Sequence, residues 1–249
     1  MKEIVIRTVF LLAIIIFISN AQAINRFGLD LESGMVFSGY NDVQIPRSTG
    51  TRISLSEELE TDPAIFFRAK LTYAISDRHR LSIFYAPLQL KGSGKINRTV
   101  IFEGVVFPAD TPLKSVYRFD SYRLSYQYEF FNTDRFQAGI GLTAKIRDAA
   151  ISLESADTIS EKTNTGFVPL INLRLDWMFA DKIGLLFDGD ALAAPQGRAE
   201  DVLLALKYKP SPNFGLKLGF RILEGGSDVE EVYSFTLINY LVIGAILTF

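Results

Sequence analysis

Residues 122–146 read YRLSYQYEFFNTDRFQAGIGLTAKI, and this stretch decides the fold. Before the break NTDR, large apolar side chains occupy the even positions from Tyr122 to Phe130, and polar ones occupy the odd positions. After the break the same order resumes, with apolar residues at the even positions from Phe136 to Ile146. A period of two over such lengths indicates extended strands that have one apolar and one polar face. The stretch is therefore predicted to be a β-hairpin with a tight turn at NTDR.

The same alternation recurs along the rest of the chain. It is found at residues 27–37, 67–75, 81–86, 171–179, 183–190, 202–208, 214–222 and 240–249, which brings the number of predicted strands to ten. Most of these segments are longer than the usual strand of about five or six residues. They approach the roughly 9 to 11 residues that a tilted strand needs to cross a membrane. Aromatic residues stand at many of the strand ends, where membrane barrels place their interfacial girdles.

Charged side chains alternate with the apolar ones in the middle of these strands, which argues against a soluble β-sandwich. In hydrocarbon every backbone polar group must be paired, so a membrane sheet has to close into a barrel, and its charges then point inward. The predicted inward charges are Asp30, Glu32, Arg68, Lys70, Arg123, Glu129, Lys145, Arg174, Asp176, Asp188, Asp190, Lys207, Lys217 and Arg221. We predict an all-β fold, a transmembrane antiparallel up-and-down β-barrel of about ten strands, with eight or twelve as alternatives.

Unpaired charges inside a barrel would be costly, so we expect a structural network of ion pairs. Asp188 and Asp190 share one face and could bind a cation or act as an acid pair, but pairing with Lys207 and Arg174 on neighbouring strands is favoured. Barrel closure predicts a second group of pairs between the acids of the first strand and the bases of its two neighbours: Asp30, Glu32, Arg68, Lys70, Lys217 and Arg221.

The connections fall into two classes by length. SDRHR, NTDR, ADK and PSPN are tight, whereas residues 41–63, 89–115 and 154–166 are predicted to be long loops. Short and long connections that alternate place all the tight turns at one end of the barrel, and an even strand count returns both termini to that end. In residues 54–62, Ser54 and Glu57 have the spacing of a capping box that starts one helical turn. Residues 100–107, VIFEGVVF, are predicted to extend a hairpin; folding over the mouth or contacting a partner are the alternatives.

The chain begins with a positive segment containing Lys2 and Arg7, an apolar run at residues 9–18 and an A-x-A site. This order predicts a secretory signal peptide over residues 1–23, because ten apolar residues are too few to span a bilayer as a helix. The remainder, residues 24–249, is predicted to be a single domain. The chain has no cysteine and a formal net charge of −2. Disulfides and thiolate metal sites are therefore excluded, and nothing suggests a nucleic-acid partner.

The chain ends in YLVIGAILTF, residues 240–249. With the signal peptide, the amphipathic strands and this terminal aromatic strand, the sequence resembles the bacterial outer-membrane β-barrel proteins. The resemblance implies that Tyr240, Leu247 and Phe249 belong to a signal read by the barrel assembly machinery. It also implies a place in the outer membrane with both termini periplasmic. The expected partners are periplasmic chaperones during biogenesis and, afterwards, outer-membrane lipid and lipopolysaccharide.

Functional chemistry is sparse in this sequence. The single histidine, His79, excludes any site that needs two imidazoles, and it lies in the tight turn SDRHR, where we expect it to face solvent. We predict no catalytic, cofactor-binding or metal-binding residues. The predicted role is structural or surface-binding, through long extracellular loops, with a lumen plugged by charged side chains. A narrow pore or small-solute transporter is the alternative, and an outer-membrane enzyme acting on lipid A or peptides comes third.

Overall fold

Antiparallel strands close into a barrel in the computed structural model, which describes residues 26–249. In chain order the strands are β1 (Phe27–Gln44), β2 (Ile53–Ser54), β3 (Ala64–Ala74), β4 (His79–Ala86), β5 (Gln89–Lys95), β6 (Val100–Phe102), β7 (Val105–Phe107), β8 (Pro112–Asn132), β9 (Phe136–Glu154), β10 (Ile159–Trp177), β11 (Ile183–Ala194), β12 (Gly197–Ser211), β13 (Phe214–Asp228) and β14 (Tyr233–Thr248). Ten of them form the ring β1-β3-β4-β8-β9-β10-β11-β12-β13-β14, which confirms the predicted fold class. The predicted signal peptide at residues 1–23 lies outside the described residues.

Pairing between β14 and β1 closes the ring. It runs from Gly28 opposite Thr248 to Gln44 opposite Tyr233, with one bulge near Ser38. At the very end, Phe27 and Phe249 exchange backbone hydrogen bonds of 2.8 and 2.9 Å, and their rings stack with centroids 6.0 Å apart. An apolar strand at the end of the chain is therefore held on both edges, because β13 pairs with its other side.

Alternation gives the two faces of the barrel opposite character. Outward residues such as Leu142 and Leu218 are 68% and 63% exposed, whereas inward residues such as Thr143 and Lys217 are buried. Successive side chains in a strand point to opposite faces, so a period of two in the sequence becomes an apolar belt around a polar interior. Among the described residues no helix is both long enough and apolar enough to cross a membrane.

Four tight turns connect strands at the end that also holds Phe27 and Phe249, here called the proximal end. They coincide with SDRHR, NTDR, ADK and PSPN, as predicted. At the opposite, distal end the predicted long loop over residues 154–166 is wrong, because β9 and β10 continue past the apolar belt and leave only residues 155–158 as a turn. Outside hydrocarbon the outward face need not be apolar, so the alternation stops before the strands do.

The two long distal connections fold into a cap on the barrel mouth. Within them β2 pairs with β1, and β5 continues along β8 where β4 ends. The cap and the distal ends of the strands share an apolar core that includes Val43, Ile45, Ile53, Leu55, Leu59, Leu90, Ile96, Val100, Phe102 and Phe107. At residue 54 the predicted turn is present, since the Glu57 amide donates to Ser54 Oγ (3.3 Å). The Ser54 amide in turn donates a hydrogen bond to the carboxylate of Glu58 (2.9 Å).

The hairpin formed by β6 and β7 does not extend a barrel hairpin, so that prediction is wrong. It pairs only with itself and folds over the mouth, with Phe102 and Phe107 almost fully buried. Backbone hydrogen bonds of 2.8 Å join it to the preceding loop, from the Thr51 amide to Ile101 and from the Glu103 amide to Ile45. Burial of the apolar side chains of VIFEGVVF explains this position better than exposure beyond the membrane would.

Candidate functional site: the barrel interior

A single carboxylate, that of Asp201 on β12, lies at the centre of the interior charge network. Three arginines reach it from different strands: Arg68 from β3, Arg123 from β8 and Arg221 from β13. All four side chains are no more than 6% exposed. Three buried guanidinium groups thus converge on one buried acid.

Two further carboxylates complete this central layer. Arg221 donates to Glu32 at 2.8 Å, and Arg123 donates to Asp190 at 2.7 Å. Asp190 also accepts from the Thr143 hydroxyl (2.8 Å). The layer therefore contains three arginines and three acids. This balance allows each charge to be neutralised without water, as buried ion pairs require.

A second layer lies towards the proximal end. Lys217 contacts both Asp30 (2.6 Å) and Glu32 (2.7 Å), as the predicted closure of β14 on β1 requires. Asp188 is bound by Lys70 (2.9 Å) and Arg174 (3.2 Å). Further pairs join Lys207 to Asp176 and Arg80 to Glu129.

The partner of Lys207 differs from the expectation. Pairing with Asp188 or Asp190 was favoured, but Lys207 lies opposite Gly184, whereas Asp188 lies opposite Leu203. This register sets Lys207 four positions closer to the proximal end than Asp188. The Lys207 ammonium therefore reaches Asp176, two strands away on β10.

Sequence reasoning missed Asp201 and Arg80. The alternation puts Asp201 on the polar face with Lys207, but Asp201 precedes the predicted strand, which begins at Val202, and was left out of the predicted inward charges. Arg80 was assigned to the turn SDRHR, whereas β4 begins at His79. Both errors are errors of strand boundary.

Lys145 is the exception among the fourteen predicted inward charges. It is 2% exposed, and its Nζ lies 4.8 Å from the centroid of the Phe119 ring. Within residues 26–249 it has neither an ion pair nor a hydrogen bond, whereas each of the other thirteen is ion-paired.

An aromatic layer packs against the central charges, with Phe84 opposite Arg123 and Tyr240 opposite Arg221 in register. Arg68 stacks over Phe84 (4.9 Å to the ring centroid) and Tyr240 (5.4 Å), and Phe66 meets Tyr240 edge-on at 4.9 Å. Tyr240, included in the predicted assembly signal, is thus an interior residue with 3% exposure. Tyr240 and Val242 lie at even positions of β14, which face inward. Leu247 and Phe249, the other two residues of that signal, lie at odd positions, which face outward.

Three cavities follow one another inside the molecule. A proximal vestibule of about 390 Å³ is lined by residues that include Lys70, Arg174 and Lys207. Beyond it the central charges leave a void of only about 20 Å³, close to the volume that one water needs. A third cavity of about 820 Å³ lies on the distal side, against β8 to β14.

His79 occupies an outward position at the proximal end. Its Nδ1 lies 2.6 Å from the Tyr126 hydroxyl, and its ring lies 5.3 Å from the Tyr128 ring. We expected a turn histidine in solvent; the structure instead makes it the first residue of β4, beside two interfacial tyrosines. The described residues contain no group of three or more histidine, aspartate or glutamate side chains arranged to hold a metal ion.

Neither a known sequence family nor a curated protein sequence matches the chain. Solved structures do match it. The outer membrane protease OmpT from Escherichia coli superposes with a TM-score of 0.59 at 9% identity, over 90% of this chain and 97% of that one. Neisserial surface protein A (TM-score 0.37, 15% identity, 90% of this chain and 97% of that one) and the Yersinia pestis protein Ail (0.39, 10%, 90% and 99%) are more distant. The chain thus has the closed-barrel fold of the bacterial outer-membrane β-barrel proteins.

Proposed function

We propose that this protein is a non-enzymatic outer-membrane barrel that does not conduct ions and acts at the cell surface through its distal cap. The observation that carries the proposal is the void of about 20 Å³ between the proximal vestibule and the distal side, enclosed by ion-paired side chains. In the proposed orientation in the outer membrane, the proximal end faces the periplasm and the cap faces the outside of the cell.

Two independent barriers support a closed lumen. The central arginines are each held by at least two acids or by an acid and an aromatic ring, so displacing one of them exposes an uncompensated buried charge. Distal to this layer, the cap buries Phe102 and Phe107 in the mouth. An ion would have to cross a charged layer and then an apolar one.

Planar-bilayer conductance tests the closed lumen. The refolded protein is expected to give no unit steps, whereas a variant that carries both Arg68→Ala and Arg123→Ala and also lacks the hairpin of β6 and β7 should conduct if it keeps the heat-modifiable gel shift of a folded barrel. Steady unit conductance from the unmodified protein would favour the alternative, a narrow pore. The observation behind that alternative is the polar vestibule of about 390 Å³, which ends at the same central layer.

In a surface-binding role the cap is the surface that recognises the partner, and lipopolysaccharide is the proposed lipid partner. Replacing residues 99–108, which contain the hairpin of β6 and β7, with a short Gly-Ser linker removes this surface while the ring strands stay intact. Binding of the purified barrel to lipopolysaccharide micelles should fall in that variant. Unchanged binding, with the barrel folded, would leave a purely structural role.

The absence of enzymatic activity is proposed from the position of His79. Its ring nitrogen meets a tyrosine hydroxyl at the proximal end and not a serine or aspartate near the distal mouth. Incubation with lipid A and with peptides tests this, because turnover that disappears in His79→Ala would overturn the proposal.

For biogenesis we propose that Tyr240, Leu247 and Phe249 belong to the assembly signal, which periplasmic chaperones deliver to the barrel assembly machinery. Phe249 also pairs with Phe27 at the seam between β14 and β1. Phe249→Ala should reduce the amount of heat-modifiable barrel in outer-membrane fractions. Tyr208→Ala removes another outward aromatic near the proximal end and serves as the control.

A further inference from the structure

The cavity on the distal side is lined by both apolar and basic side chains. Its volume of about 820 Å³ lies in the range of about 300–1,000 Å³ typical of small-molecule sites. Apolar lining comes from Ile151, Val168, Leu192 and Leu223, among others. Basic lining residues are Lys145, Arg147, Lys162 and Arg198.

The barrel wall is open beside this cavity. Pairing between β10 and β11 covers only Ile171 opposite Ala191 to Trp177 opposite Leu185. Beyond it, β10 continues to Ile159 paired only with β9, and β11 continues to Ala194 paired only with β12. Pro169 stands in the unpaired part of β10, where its missing amide suits a strand edge.

The cavity reaches the outer surface through this gap. Its lining includes Phe167 and Pro169 on one edge and Leu192 and Ala194 on the other. Phe167 belongs to the outward face and is 67% exposed. In register it lies next to Ile146, which lies next to Tyr122 at the distal rim of the apolar belt. The gap therefore opens where the belt ends, at the level of lipid headgroups in the outer leaflet.

The charges inside the cavity are not balanced. Lys162 is paired with Glu103 at 2.9 Å, and Arg198 with Glu224 at 2.6 Å. Lys145 lacks any acidic partner among the described residues.

Arg147, two residues further along the same face of β9, hydrogen-bonds Asn164, and its buried Nε has no partner. These two adjacent basic groups thus line the wall without an ion pair, and the further acid in the lining, the exposed Glu231, pairs with neither of them. A buried cation such as that of Lys145 is costly unless an anion meets it.

We propose that this cavity binds a single-tailed anionic amphiphile taken from the outer leaflet. Its carboxylate or phosphate head contacts Lys145 and Arg147, and its tail passes between β10 and β11 into the lipid. A small hydrophilic anion fits less well, because Val168, Leu192 and Phe167 would have no apolar group to pack against. A glycan is disfavoured for the same reason.

The test uses the full barrel in lipid nanodiscs that contain stearic acid spin-labelled on its chain. The unmodified protein should immobilise a fraction of the label, with affinity at least tenfold above that for the methyl ester, which lacks the charge. A spin-labelled lysophosphatidic acid, in a parallel arm, distinguishes a phosphate head from a carboxylate one. Probe supplied from water to lipid-free protein in detergent measures entry from the aqueous side.

Lys145→Met should weaken binding of the charged probes at least tenfold and leave the ester unchanged. Lys209→Met removes an exposed lysine at the proximal vestibule and is the matched control. Ala194→Trp narrows the gap without removing a charge, so it should reduce the immobilised fraction even if Lys145→Met fails to fold. Equal immobilisation of acid and ester, or affinity unaffected by both variants, would overturn the proposal. Ion conductance does not enter this readout, so the closed-lumen proposal stands or falls separately.

Discussion

The proximal and distal halves of the barrel interior are filled by different chemistry. On the proximal side, charged side chains from nearly every strand join in ion pairs around Asp201, Asp188 and Lys217. On the distal side, loop residues such as Ile45, Leu59 and Phe102 supply an apolar core. The strands of the barrel turn apolar side chains towards lipid, and near the charge network their inward positions are polar. At their distal ends, inward strand residues such as Val36, Ile238 and Val242 join the loop residues in the apolar core.

Because of this difference, the stability of the two halves should respond to different kinds of substitution. A buried charge network depends on completeness, because loss of one partner leaves another charge buried and uncompensated. An apolar core depends on volume, because loss of atoms leaves a cavity. Variants that remove charge without volume, or volume without charge, should therefore separate the two halves.

The largest effect is expected from Asp201→Asn. The substitution keeps the side-chain volume but leaves Arg68, Arg123 and Arg221 without their shared acid, so we expect a loss of about 3–5 kcal/mol in the free energy of unfolding. Urea unfolding in lipid vesicles, followed by the fluorescence of the single tryptophan, Trp177, measures it. Asp148→Asn is the control, because both side chains of its pair with Arg118 (2.7 Å) are over 30% exposed and solvent screens the contact. Equal losses in the two variants would contradict a buried hub.

Phe102→Ala tests the apolar half. Phe102 is fully buried in the cap, and removing a buried phenyl ring costs about 3–5 kcal/mol in a well-packed core. Part of this loss should appear as local opening of the cap, measured by the rate at which protease cleaves residues 45–63. Val106 is on the same hairpin but is 57% exposed. Val106→Ala should therefore lower the free energy of unfolding by no more than about 0.5 kcal/mol and should leave the cleavage rate unchanged. If Val106→Ala loosens the cap as much as Phe102→Ala does, the cap is not held by its apolar core.

These two halves were not equally predictable from the sequence. Alternation placed Arg68, Lys217 and Glu32 inside, because parity depends only on local backbone geometry. It also predicted the acids of β1 as partners of Arg68, and Glu32 lies 4.0 Å from Arg68 Nε. It did not predict the contact of Arg68 with Asp201, which crosses the lumen from β3 to β12. That contact depends on the radius of the closed barrel and the reach of the side chain, which no local pattern contains.

The distal features were harder to predict. The burial of Phe102 depends on how two loops pack on each other, and residues 100–107 carry the same apolar pattern whether they extend a hairpin or fold over the mouth. The gap between β10 and β11 had a local signal in Pro169, but one proline does not show which neighbour it leaves unpaired. The sequence thus predicts which face a side chain takes better than which group it meets.

Lys207→Met tests whether, within the charged half, an ion pair close to water contributes less to stability than a fully buried one. Lys207 pairs with Asp176 beside the vestibule of about 390 Å³, so water can solvate the acid once the lysine is gone. Arg174 also remains 3.5 Å from Asp176. We expect a loss of about 1–2 kcal/mol in urea unfolding, clearly below that of Asp201→Asn. A loss as large as the one at Asp201 would mean that the vestibule is drier than its volume suggests.

The smallest effect concerns a charged contact within the apolar half, between Glu58 and Arg98 of the cap. The hydrogen bonds from Arg98 lower the pKa of Glu58 below its ordinary value. A carboxyl group with a lowered pKa in the folded state stabilises the fold above its ordinary pKa, and this contribution is lost as pH falls through the folded value. Glu58→Gln should therefore destabilise the cap at pH 7 by at most about 1 kcal/mol, because both side chains are partly exposed.

At a pH below the folded pKa of Glu58 the difference between the unmodified protein and Glu58→Gln should shrink, since the unmodified glutamate becomes neutral as well. The rate of proteolysis within residues 45–63, compared at the two pH values with an acid-tolerant protease, measures it. Glu57→Gln removes the adjacent exposed carboxylate and should show no such convergence. A difference that persists unchanged at low pH would mean that Glu58 acts through its shape and its bond to the Ser54 amide, and not through its charge. The charge of this pair would then contribute nothing to the cap, and the contrast with the charged proximal half would be sharper.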